Sequence, residues 1–114
     1  MALEEKRQHK RERVPENELL SIILLDNAKS YFCNLIDISN GGIQIRCKQD
    51  CQLKNKAVDC VLRNNHENHK NDRTTSFKVE IMWHKTLKDK ETLLGLKYHL
   101  IDSGTVARIY ELTR

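Results

Sequence analysis

Aromatic side chains are scarce in this sequence: two Phe, three Tyr and one Trp in 114 residues. Six rings are too few for a stacking platform along single-stranded nucleic acid. Proline occurs once, at Pro15, and glycine four times, so no linker of low complexity divides the chain. Long apolar runs are also missing. Residues 19–25 form the richest stretch, which is strand-sized and far below the ~20 residues that span a bilayer. No apolar stretch follows Met1 closely enough to act as a secretory signal, so a cytoplasmic location is expected. The four cysteines, Cys33, Cys47, Cys51 and Cys60, lack the paired spacing of a zinc site. In that compartment they are expected as reduced thiols lying mostly in strands, with no metal. His66 and His69 fall in a polar stretch, residues 64–75, that reads as a solvated loop.

What the chain does have is charge. Charged residues make up 32% and apolar residues 39%, which suits one domain with a small core and a wet surface. The net charge of +4 is modest, but it is concentrated. Lys6, Arg7, Lys10, Arg11 and Arg13 crowd together against the single carboxylate of Glu12, while the rest of the chain is close to balance. That distribution argues for one local anion site rather than a broad nucleic-acid face.

The hydrophobic pattern is mainly of period two. Residues 1–13 carry no apolar stripe and read as an arm, closed by Val14-Pro15, because the residue before proline is pushed toward extended geometry. Strands are expected over residues 19–25, 30–38, 43–47, 56–62, 77–83 and 93–101. In the second, Tyr31, Cys33, Leu35 and Asp37 share one face. In the fifth, Phe77, Val79, Ile81 and Trp83 do so. Phe77, Trp83 and Tyr98 are assigned to the core or the barrel rim. Asn40-Gly41-Gly42 marks a tight turn in which glycine supplies positive φ. A charged turn covers residues 88–91, and residues 63–75 form a loop. The tail changes period: Val106, Ile109, Tyr110 and Thr113 recur at helical spacing, with Asp102, Ser103 or Thr105 as the cap. Six short strands and one helix predict an all-β fold, a six-stranded antiparallel β-barrel with a short C-terminal helix.

Two polar motifs carry chemistry. Arg7 and Arg11 place two guanidinium forks four residues apart, a span of at most ~14 Å when extended. Such forks match phosphate oxygens or the O6/N7 edge of guanine. A solvated basic tail has the same look. Asp37 and Ser39 lie on alternate residues before Gly42. An aspartate accepts from the N1–H and N2–H₂ of guanine, which no arginine does. Taken alone, this motif is better explained by a plain hairpin with polar turn residues. Arg11 and Asp37 are 26 residues apart, which leaves room for one hairpin, so the two motifs can meet at one end of a barrel.

With both motifs in this order the chain resembles the PilZ domain family. Arg7 and Arg11 match its R-x-x-x-R arm, and Asp37, Ser39 and Gly42 match its D/N-x-S-x-x-G turn. Residues 79–83 look like its late strand, and Gly95-Leu96-Lys97-Tyr98 like its G-x-x-aromatic strand. The resemblance implies a basic N-terminal arm, 1–14, and a PilZ-like barrel, 15–114. It implies a single-domain receptor, not an enzyme, that binds the second messenger cyclic di-GMP and signals to a partner protein, with no cofactor or metal. Arg7 and Arg11 would hold guanine edges and phosphates, Asp37 would accept from guanine, Ser39 would add a polar contact and Gly42 would shape the turn. Lys10 and Arg13 would add charge. Two alternatives stand beside it: a ligand-independent PilZ-like adaptor for a motility or pilus apparatus, and a small basic barrel that binds RNA or DNA.

Overall fold

The computed structural model describes residues 11–15, 20–27, 29–51, 53, 56–65 and 74–113. Arg7, Lys10, His66 and His69 lie outside the described residues. Among the described residues, seven strands and one helix run in chain order. They are β1 (Glu12–Arg13), β2 (Leu20–Asp26), β3 (Lys29–Ile38), β4 (Gly42–Cys47), β5 (Ala57–Asn64), β6 (Thr74–Thr86), β7 (Thr92–Tyr98) and α1 (Ser103–Leu112).

Every pairing is antiparallel, in the order β1-β3-β2-β5-β6-β7-β4, and β3 also pairs with β4. That last pairing closes six strands into a barrel and leaves the two-residue β1 as an added edge. On one side of β3, β2 takes residues 29–33 and β1 takes Asp37 and Ile38. The arm thus enters as sheet, fixed by the Val14 N–H donating to the Ile36 carbonyl at 2.8 Å. Strands β5 and β6 run further than their hydrophobic pattern indicates: β5 reaches Asn64 and β6 starts at Thr74, so the expected loop 63–75 is shorter at both ends.

Alternation fills the interior. Leu20, Ile22 and Leu24 of β2, Ile43, Ile45 and Cys47 of β4, and Val58, Cys60 and Leu62 of β5 all point inward. Each fully buried Leu or Ile contributes ~1.5–3 kcal/mol. Phe77 and Tyr98 meet edge to face at 5.7 Å inside the barrel. Helix α1 starts where Asp102 accepts the Thr105 N–H at 2.7 Å. It drives Ile109 and Leu112 into the core, and Asn64 of β5 donates to the Leu112 carbonyl at 2.7 Å.

Alternation fails at two places, each a β-bulge. On β3, Leu35 pairs with Ile45 but Asp37 with Gln44, so Ile36 has no counterpart. On β6, Ile81 pairs with Leu96 but Trp83 with Gly95, so Met82 is extra. An extra residue reverses the facing of every residue after it in the strand. Asp37 and Trp83, both expected to share a face with buried neighbours, therefore face outward, and Ile38 turns in.

The cysteine expectation is also corrected. Cys33 and Cys47 stand directly opposite in the β3–β4 register, 4.2 Å apart at Cα, and form a disulfide. Cys51 and Cys60 are free and buried. Burial pushes the Cys51 thiol up to about 11, helped by the nearby carboxylates Asp26 and Asp50, and burial raises Cys60 as well. Both stay protonated and inert near neutral pH.

Candidate functional site

The site lies on the outer wall of the barrel, where the arm crosses the end of β3. Neighbouring pairs in the sheet define a row: Arg13–Asp37–Gln44–Gly95–Trp83, running through β1, β3, β4, β7 and β6. With strands ~4.8 Å apart, the row is ~19 Å long. Arg11, just before β1, reaches the same place. One guanidinium nitrogen stands 3.7 Å from the Asp37 carboxylate and donates to the Gln44 side-chain carbonyl at 3.4 Å.

The local structure follows from short-range chemistry. The Asp37–Gly42 turn is held by Ser39, which is buried. Its hydroxyl oxygen accepts the N–H groups of Gly41 and Gly42 at 3.2 Å each and lies 3.3 Å from the Gly42 carbonyl. The Ser39 N–H donates to the same carbonyl at 2.9 Å. Ser39 therefore faces its own turn, while Asp37 faces the arm. Gly42 is needed for a reason other than the expected positive φ, which no described glycine adopts. A Cβ there would collide with the Leu96 carbonyl oxygen. Gly42 lets β4 lie against β7.

Two adjoining cavities open on this wall, sharing Arg13 and Ile36. One, about 390 Å³, is lined by Arg11, Arg13, Ile36, Asp37 and Gln44. The other, about 460 Å³, adds Val14, Pro15, Leu20, Asn34, Leu35, Arg46, Lys48 and Glu91. Four cations (Arg11, Arg13, Arg46, Lys48) face two carboxylates, a local excess of positive charge. Arg46 is tied back by Glu91 and lies 3.8 Å from Asp89. The Arg11–Asp37 pair is 41% and 18% exposed, so it is worth ~1 kcal/mol at most to the fold and can be exchanged for ligand contacts. Asp37 offers an acceptor, Arg11 and Arg13 offer forked donors, and the cavity volumes suit a small organic anion.

Of the expected site residues, Arg11 and Asp37 come together, and Ser39 and Gly42 build the turn beneath them. Arg7 lies outside the described residues. Gln44, Arg46 and Lys48 also line the site. Their signal was the polar face of an alternating strand, which looks the same on any solvated sheet. Trp83 is another addition. It is 40% exposed, and its indole lies over Gly95, where any Cβ would overlap it. The missing side chain at Gly95 is what makes room for the indole. Among the described residues no cluster of three or more His, Cys, Asp or Glu could hold a metal, and no helix is long and apolar enough to cross a membrane.

No curated protein matches the chain in sequence. Solved structures do match in shape. The PilZ domain of YcgR from Escherichia coli, described with c-di-GMP, aligns at TM-score 0.66 and 10% identity over 95% of this chain and 88% of its own. The inhibitor of motility MotI/DgrA of Bacillus subtilis aligns at 0.67 and 15% identity over 95% of this chain. The PlzA protein of Borreliella burgdorferi, in complex with c-di-GMP, aligns at 0.66 and 16% identity over 93% of this chain. The chain spans 49% of MotI/DgrA and 50% of PlzA, about half the length of each. The fold of this chain is thus shared with these solved structures, one of them a PilZ domain. The PilZ domain model itself matches residues 5–114, and the chain belongs to the PilZ domain family.

Proposed function

We propose that this protein is a cyclic di-GMP receptor, with a basic arm over residues 1–14 and a barrel over residues 15–114. The observation that carries the reading is the meeting of Arg11 and Arg13 with Asp37 and Gln44 in one open cavity. Family membership and two c-di-GMP-bound structural neighbours support it. Arg7 and Arg11 grip phosphate and the O6/N7 edge of guanine. Asp37 accepts from N1–H and N2–H₂, Ser39 and Gly42 hold the turn, and Trp83 offers a stacking face for the base. Binding settles the arm on β3, and the altered surface is read by a partner protein in the cytoplasm. No step of this role needs a catalytic group, a metal or a cofactor.

Isothermal titration with cyclic di-GMP tests it. Saturable binding to the wild-type protein, lost in Arg11→Ala, is the expected result. Absence of heat and of amide shifts at ligand excess would remove the proposal and favour the adaptor reading. Tightening of nucleic-acid binding in Asp37→Ala, with no response to the dinucleotide, would favour the basic barrel instead.

A further inference from the structure

Strand β1 has two faces, and the ligand cavity uses only one. Arg11 and Arg13 line that cavity, while Glu12 points the other way, into a groove of about 990 Å³ between β1 and α1. The Asp37–Gly42 turn is divided in the same manner: Asp37 faces the cavity and Asn40 the groove. Both elements of the proposed ligand site therefore also form walls of a second concavity.

The chemistry of that groove is unlike the rest of the molecule. Its floor is apolar, made by Ile101, Val106 and Tyr110, all partly buried. Its described rim carries the carboxylates Glu12, Asp102 and Glu111 and no cationic side chain, in a chain of net charge +4. Asp102 caps α1, and Glu111 pairs with Arg108 at 2.8 Å yet stays 64% exposed. Burial and the neighbouring Glu12 both raise the Tyr110 hydroxyl above its ordinary value. Leu100, next to Ile101, is 93% exposed and held at φ 51°. Left-handed backbone is disfavoured for a leucine, whose Cβ crowds the following carbonyl oxygen.

We propose that the β1–α1 groove docks a basic amphipathic helix of a partner protein, its apolar stripe on Ile101, Val106 and Tyr110 and its Lys or Arg residues against Glu12 and Glu111. The occupant is set by charge complementarity: an acidic helix meets three carboxylates, and a second copy of this chain brings an acidic groove of its own. Apolar anchors at i, i+3, i+4 and i+7 fit such a groove. The inference rests on the receptor reading for its regulation. Cyclic di-GMP that holds Arg11 and Arg13 on β3 also holds Glu12 in the groove wall, so ligand and helix favour each other reciprocally.

The test uses two labelled 15-residue amphipathic peptides with Leu on one face, one bearing Lys and one Glu on the other, measured by fluorescence anisotropy at low salt with and without cyclic di-GMP. The Lys peptide is expected to bind at least tenfold tighter than the Glu peptide and to shift the amides of Glu12, Asn40 and residues 101–111. Ala107→Lys/Glu111→Lys, at two exposed positions of α1, is expected to weaken it at least tenfold while leaving cyclic di-GMP titration unchanged. Saturating ligand is expected to tighten the Lys peptide at least fivefold. Equal binding of the two peptides, or an unaltered double variant, overturns the groove and leaves the receptor reading standing if the dinucleotide still binds. Selective Lys-peptide binding without any dinucleotide binding upholds the groove and overturns the receptor reading. Binding of both without mutual effect overturns the coupling.

Discussion

Replacing Asp37 by Ala separates the fold from the site. In the free protein the Asp37 carboxylate lies 3.7 Å from an Arg11 nitrogen, with the two side chains 18% and 41% exposed. A pair that open to solvent contributes ~1 kcal/mol or less, so the variant should melt close to the wild-type protein. The effect on cyclic di-GMP is larger. Hydrogen bonds to a charged group are worth ~1.5–3 kcal/mol each, and guanine offers the carboxylate two neighbouring donor groups. Taking only ~2 kcal/mol, because the cavity is open to water, gives about a 30-fold loss of affinity. An opposing term exists: without Asp37 the site is more positive and Arg11 is free for phosphate. Its size is that of an exposed pair, ~1 kcal/mol, a gain of about fivefold. The two readings thus differ in sign. Guanine recognition predicts a weaker complex, and a generic phosphate site predicts a tighter one. Titration calorimetry at physiological salt, beside urea unfolding of both proteins, reads the difference. A dissociation constant within threefold of wild type, or a tighter one, in a variant that folds normally refutes the assignment of Asp37.

Gly42→Ala should lower the urea midpoint by the equivalent of ~1–3 kcal/mol, since its Cβ meets the backbone of Leu96 and the β4–β7 seam must open. The chain has a single tryptophan, 40% exposed, so intrinsic fluorescence should change when cyclic di-GMP stacks on the indole, and Trp83→Ala should weaken binding by ~1–3 kcal/mol. An unchanged emission spectrum at saturation would argue against that contact. Reduction of Cys33–Cys47, with 14 residues of separation, should cost ~3 kcal/mol by loop entropy, read as a lower urea midpoint in the presence of a phosphine reductant. The N–H of Thr105 holds the Asp102 carboxyl below its ordinary value of 3.8, so its cap stabilises the folded state above that pH and loses effect as pH falls through the folded value. Asp102→Ala should therefore lower the melting temperature near neutral pH and converge with the wild-type protein in acid.

The sequence was most legible where one local rule acts alone. In β2, β4, β5 and β7 the inward residues follow strict alternation, and α1 follows the 3.6-residue period with Asp102 at its cap. What depends on partners distant in sequence was hidden. β1 is two exposed residues that become a strand only because β3 offers a free edge at Asp37 and Ile38. The Cys33–Cys47 bond depends on the register between β3 and β4, which spacing along one strand does not contain. Gly42 reads as a turn glycine, but its requirement comes from the backbone of β7, more than fifty residues later.

The two bulges explain why the misreadings fall on the site itself. Between Ile43 and Gln44 the β4 partners run back through Ile38 and Asp37. Beyond Ile36 the register slips by one, so Leu35 meets Ile45 and Cys33 meets Cys47. Without that slip, continuing the Asp37–Gln44 register would set Cys47 opposite Asn34. One inserted residue therefore lets β3 keep Tyr31, Cys33 and Leu35 inside, seal Ile38 inside, and still turn Asp37 out toward Arg11. Met82 does the same on β6, leaving Ile81 against the core and turning Trp83 out over Gly95. A regular strand must give every second residue to one face. A barrel this small needs nearly all of its inward positions for the core, so a carboxylate and an indole of inward parity reach a common outer surface only where the parity is broken. The same two insertions that defeat the periodicity reading bring Asp37 and Trp83 into one row.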